Sequence, residues 1–156
     1  MNALDQSIIE ALQTSLKLHW TAIATYSAQA AHFGRWGYSK LSSAAMDDVK
    51  EEQEHAARLM NRLEVFDVVS QNELANPVDF PRHDYAGILA ANLLLESASA
   101  TAERAAILTA RQFGDEITAG VFAENLDGSE DSIIQIEAEQ KVISQIGIDN
   151  YLANKV

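Results

Sequence analysis

The chain carries two prolines, Pro77 and Pro81, and both fall in one polar segment, residues 70–82. A proline inside a helix removes a hydrogen bond and clashes with the preceding turn. The long tracts on either side are therefore open to uninterrupted helix, and a helical rhythm fills them. Over 4–32, Ile8, Leu12, Ser15, His19, Ala22 and Tyr26 recur at steps of four and three, which is one face of an α-helix. Gly34 and Gly37 bracket a short turn. Over 39–68 the inward stripe is Leu41, Ala45, Asp48, Glu52, His55, Leu59, Arg62 and Phe66. After the proline segment a third helix is expected over 83–112, with Leu89, Asn92, Glu96, Ser99, Glu103 and Ala106 on one stripe and Gly114 as its stop.

The fourth segment, 115–146, is less regular. Phe122, Ser129, Ile133, Ile136, Gln140 and Ile143 keep the rhythm. Asn125 to Ser129, however, reads as turn chemistry, and a glycine such as Gly128 costs about 1 kcal/mol against alanine in a helix interior. A kink or fraying is expected there. A short turn of helix over 149–154 would close the chain. The expectation is an all-α fold: a four-helix bundle with one long crossover, a short fifth helix, and a single domain over 1–156. A 13-residue connection (70–82) spans most of such a bundle at up to ~3.3–3.6 Å per extended residue.

At 156 residues, 47% of them hydrophobic, the chain is long enough for a sizeable core. Net charge is −12, from 23 acidic against 11 basic residues. That balance argues against nucleic acid and anionic membranes as partners and favours cations. With no cysteine, disulfides, thiolate metal sites and cysteine nucleophiles are excluded. Residues 1–6 lack the basic start and apolar run of a secretory leader, and no apolar stretch is long enough to span a bilayer. A cytoplasmic protein is the expectation.

Glu52-Gln53-Glu54-His55 places a carboxylate and an imidazole on one helical face, about one turn apart. Di-iron bundles use two such pairs, plus a carboxylate from each of the other two helices. The histidines here are His19, His32, His55 and His83, so no second Glu-x-x-His exists in the fourth helix. Tyr26, the Arg35-Trp36-Gly37 turn, the Glu52-x-x-His55-Ala56-x-Arg58 stretch, the Leu95-Glu96 step and the end Ile146-Gly147-Ile148-Asp149-Asn150-Tyr151-Leu152 together resemble the bacterioferritins, over nearly the whole chain in register. The resemblance implies a ferritin-like subunit, a 24-subunit iron-storage shell, Fe(II) oxidation at an intrasubunit di-iron centre, and haem between subunits.

Position by position, the resemblance puts the first-helix carboxylate ligand at His19 and the second-helix pair at Glu52 and His55. It puts the third-helix carboxylate at Glu96 and the fourth-helix pair at Ser129 and Ser132. The haem-ligating methionine falls at Gln53. One ligand is thus exchanged, two are lost, and no haem is expected. The metal set becomes His19, Glu52, His55 and Glu96. It is suited to one iron ion per chain, with zinc or manganese as alternatives, and ferroxidase activity is expected to be weak or absent. The leading expectation is a divergent iron-binding, iron-storing homo-oligomeric shell. Two readings compete with it: a non-catalytic subunit co-assembling with a ferroxidase-active paralogue, and a mononuclear metal-dependent oxidase. His19 also has a plainer reading, as a core histidine donating to Glu52 or Glu96. Met46, Met60, Trp20, Trp36 and Phe33 are read as packing residues, His32 as a helix-end contact, and His83 as a surface residue.

Overall fold

A computed structural model describes residues 3–156 and the side chains from Asp5 onward. Residues 1–2, part of the stretch read for a leader, lie outside the described residues. Every regular element among the described residues is a helix: α1 Ala3–Trp36, α2 Ser39–Val65, α3 Tyr85–Gln112, α4 Glu116–Ile146 and α5 Ile148–Ala153. None is long and apolar enough to cross a membrane.

α1 packs chiefly on α2, and α3 on α4, with α1 against α3 across the bundle. The α1–α2 turn is tighter than expected, because α1 continues through Gly34 to Trp36 and only Gly37 and Tyr38 separate the helices. Gly37 sits at φ +101°, a backbone region glycine enters without steric penalty.

The connection from α2 to α3, residues 66–84, climbs the outside of α1. Polar side chains of that helix receive it in order. Gln13 donates to the Val69 carbonyl at 3.2 Å and accepts from the Gln71 N–H at 3.0 Å. The Thr21 hydroxyl accepts the Ala75 N–H at 2.8 Å, and His32 Nε2 accepts the His83 N–H at 3.1 Å. From Gln13 to His32 is about 28 Å of helix at 1.5 Å per residue. This climb returns the chain to the starting end of α2, so α2 and α3 run parallel. His83 is exposed, as expected for a surface residue, but it belongs to the connection and not to α3 (φ +59°). Asp84 caps α3 by accepting the Gly87 N–H at 2.9 Å, the usual way of satisfying a free helix-start donor.

α4 runs unbroken from Glu116 to Ile146, so the kink expected over 125–129 does not occur. The cause is tertiary. A Cβ on Gly128 would stand 2.4 Å from His55 Nε2 and 2.7 Å from its Cε1. Only glycine lets α4 approach the imidazole on α2. The helix tolerates Gly128 because it is locked at other points. Asn125, fully buried, donates to the His55 carbonyl at 3.2 Å. Near the start of α4, Arg62 of α2 donates to both Asp115 oxygens at 3.1 Å and to Thr118 Oγ1 at 2.7 Å.

The core is divided along the bundle. One apolar cluster, with Leu12, Leu16, Leu59, Leu63 and Phe122 fully buried, fills one end. A second, built on Phe33, Leu41, Ile88, Leu89, Ile136 and the α5 residues Tyr151 and Leu152, fills the other. Met60 packs against the first cluster, as expected, whereas Met46 is 43% exposed and packs in neither. Between the two clusters lies a buried polar layer.

Candidate metal centre

Residues at the middle of each inward stripe make this layer: His19, Glu52, His55, Glu96, Ser99, Glu103, Asn125 and Ser129 are all buried. Unpaired charges are costly in such a place, so the pairing decides what the layer is.

His19 is the hub. Its Nδ1 lies 2.5 Å from Glu52 Oε2 and its Nε2 lies 2.8 Å from Glu103 Oε1. A neutral imidazole has one N–H and can donate to only one of them. With a carboxylate on each nitrogen, the ring is satisfied as the imidazolium. Burial works against that charge, but the hydrogen bonds from Glu103 and Glu52 outweigh it and raise the His19 pKa to about 10. The same contacts act reciprocally on Glu52. Burial pushes its carboxyl up, yet His19 and His55 pull it down to about 2.

His55 stands edge-on to His19, ring centroids 5.1 Å apart. Its Nδ1 is 3.5 Å from Glu52 Oε1 but outside hydrogen-bonding geometry, and that buried nitrogen has no partner. Among the described residues, His19, Glu52 and His55 bring ligand atoms within 4.8 Å of one another.

Glu96 has a different neighbour. The Tyr26 hydroxyl donates a short hydrogen bond to its Oε1, while its Oε2 is buried without a partner. Burial first, then the charge on Glu52, pushes the Glu96 carboxyl well above its ordinary range. The phenol of Tyr26 is likewise raised. The carboxylate that joins His19 from α3 is Glu103, which the sequence reading placed on the inward stripe but not in the site. The available signal was its position seven residues after Glu96, two turns along the same face.

The model for the ferritin-like domain matches residues 9–146. The chain belongs to the ferritin-like family. Two relatives extend the match across almost its full length. A bacterioferritin of Brucella melitensis is 24% identical over 147 residues, 94% of this chain and 91% of its own length. A bacterial ferritin of Pseudomonas aeruginosa is 26% identical over 151 residues, 96% of each chain.

Set in this ferritin-like bundle, the sequence-derived positions divide by helix. α1, α2 and α3 bring His19, Glu52, His55 and Glu103 together. α4 faces them with Gly128 and with Ser129, whose buried hydroxyl has no partner. Ser132 is half-buried, one turn further along α4. Gln53 points out of the bundle and is exposed. A pair of iron ions needs anionic donors on both sides of the centre, and neutral serine hydroxyls supply no charge. The donor set therefore does not fit a two-metal centre. It does fit one ion, held by His55, Glu52 and His19, once His19 has lost its proton.

Proposed function

We propose that this chain is a bacterioferritin-like, iron-sequestering shell subunit whose bundle centre has lost two-metal oxidation chemistry. The observation that carries this reading is the face α4 turns to the centre, Gly128 and Ser129, with no carboxylate or imidazole. Iron is cargo here. The net charge of −12 draws Fe(II), and the centre takes at most one ion per chain, in exchange for the His19 proton. Glu96 is a reserve oxygen donor on the Tyr26 side. The shell is the closed 24-subunit assembly of the bacterioferritins, and haem is not part of it.

A specific observation favours a second reading. Both His19 nitrogens are already bonded, so a metal-free architectural subunit that co-assembles with a ferroxidase-active paralogue accounts for the centre equally well. Aerobic Fe(II) addition, followed by absorbance and native mass, separates the two. Slow oxidation with one ion per chain in a particle of roughly 24 chains supports the sequestering shell. Slow oxidation with no bound ion supports the architectural subunit. Fast oxidation of two Fe(II) per chain would refute both. In the double variant Ser129→Glu, Ser132→His, a second ion and faster oxidation are expected, because the missing anion and imidazole are then supplied.

A further inference from the structure

Beside the His19 cluster, toward the α5 end, a cavity of about 70 Å³ opens between the helices. One water needs about 10–15 Å³ of such space, so it holds a few waters. Three carboxylates line it at three depths. Glu96 of α3 is buried, Glu139 of α4 is half-buried, and Asp48 of α2 is exposed at the rim. No lysine, arginine or histidine lines it.

Two features mark it as a built site and not a chance gathering of acids. Glu96 is only 3% exposed, and its Oε2 has no partner; a buried carboxylate oxygen left unsatisfied is costly. Glu139 is fixed by two phenols, with Tyr85 and Tyr151 each donating to its Oε2 at 2.6 Å. Tyr151 belongs to α5, so docking of the short helix sets the geometry of the wall.

We propose that this cavity binds one hard divalent cation, of the Fe(II) and Mn(II) class, held with part of its water shell between Asp48, Glu96 and Glu139. Its donors are oxygens alone, a set that selects hard cations. The three carboxylates are not among the groups whose ligand atoms meet within 4.8 Å, so the ion keeps waters that bridge the remaining gaps. The cavity is complete within one chain and binds whether or not a shell forms or iron is oxidised at the centre.

Mn(II) is the probe, added to the full-length protein, with free ion counted by electron paramagnetic resonance and bound ion examined by electron spin echo in D2O. One Mn(II) per chain is expected with deuterium modulation from bound water and no nitrogen modulation. Glu96→Gln and Asp48→Asn should each weaken that ion by about 10- to 100-fold, while His55→Ala leaves it in place. Asp48 is at the rim, so its variant keeps the fold if Glu96→Gln does not. Nitrogen modulation lost in His55→Ala, a Mn(II) count unchanged in both carboxylate variants, or no bound Mn(II) at millimolar metal would each overturn the site.

Discussion

Around His19, two buried carboxylates share a cation that the chain itself supplies. In the neighbouring cavity, three carboxylates face a water-sized space with no cationic side chain. Both places hold acid in the middle of a bundle, and both lie on the same inward stripes. The first is electrically closed, with each nitrogen of the imidazolium fastened to an oxygen. The second is open, and its acids stay neutral by keeping protons. Glu96 is raised by burial, and Asp48 is pushed up to about 7 by partial burial and by Glu51 and Glu139. An exchanged residue on α1 thus closes one half of the layer, and the demand for an external cation moves to the other.

The largest effect should come from opening the closed half. His19→Ala leaves Glu52 and Glu103 buried together with no counter-charge. Removing one partner of a buried pair costs about 3–5 kcal/mol, so urea unfolding should show a loss of that order. Asp48→Asn, at the rim of the open half, should change stability by less than about 0.5 kcal/mol. Equal losses in the two variants would erase the distinction between the halves.

Next is Gly128→Ala. Its methyl must displace the His55 ring, and overpacking of this kind costs about 1–3 kcal/mol. If the glycine were merely a poor helix former, alanine would instead stabilise α4 by about 1 kcal/mol. The sign of the change in thermal midpoint decides between the two.

Protons sharpen the comparison further. His19 is raised, so its contribution is complete below pH 6.5 and is lost as pH climbs through about 10. Glu52 is lowered, so its contribution is present above pH 4.5 and is lost as pH falls through about 2. Asp48 is raised from 3.8 to about 7, so folding binds a proton there and stability declines as pH rises through that interval. Mn(II) should flatten the decline between 3.8 and 7 and leave the alkaline decline toward 10. Denaturant midpoints measured across pH with and without Mn(II) test this. A metal-insensitive acidic limb would contradict the open cavity.

The smallest effect is expected for Tyr151→Phe, which removes one of two phenol donors to Glu139. A single such bond contributes about 0.5–1.5 kcal/mol, and Mn(II) affinity should fall while the His19 cluster keeps its alkaline transition. No change in Mn(II) affinity would free the cavity wall from α5.

The four long helices were legible because apolar residues recur with a helical period and the prolines are confined to one segment. His19, Glu52 and His55 were legible for the same reason, since an ionisable residue in the middle of an apolar stripe must be buried. Glu103 lay on the same stripe, but the bacterioferritin resemblance drew attention to Glu96. Which of two carboxylates a turn or two apart meets the imidazole depends on the stagger of α1 against α3, and no single-helix pattern encodes that. Gly128 was misread because helix propensity counts the glycine alone and not the ring on the facing helix. The crossover anchors Gln13, Thr21 and His32 occupy the other side of α1, where their partners are backbone groups of a segment with no period.

The central claim is that the His19 layer no longer forms a two-metal centre. Anomalous diffraction at the iron edge, from crystals loaded with Fe(II) under anaerobic conditions, tests it directly. At most one peak is expected at the His19, Glu52 and His55 cluster, and none between Glu52 and Ser129. Two fully occupied iron peaks a few ångströms apart at that centre would contradict the account.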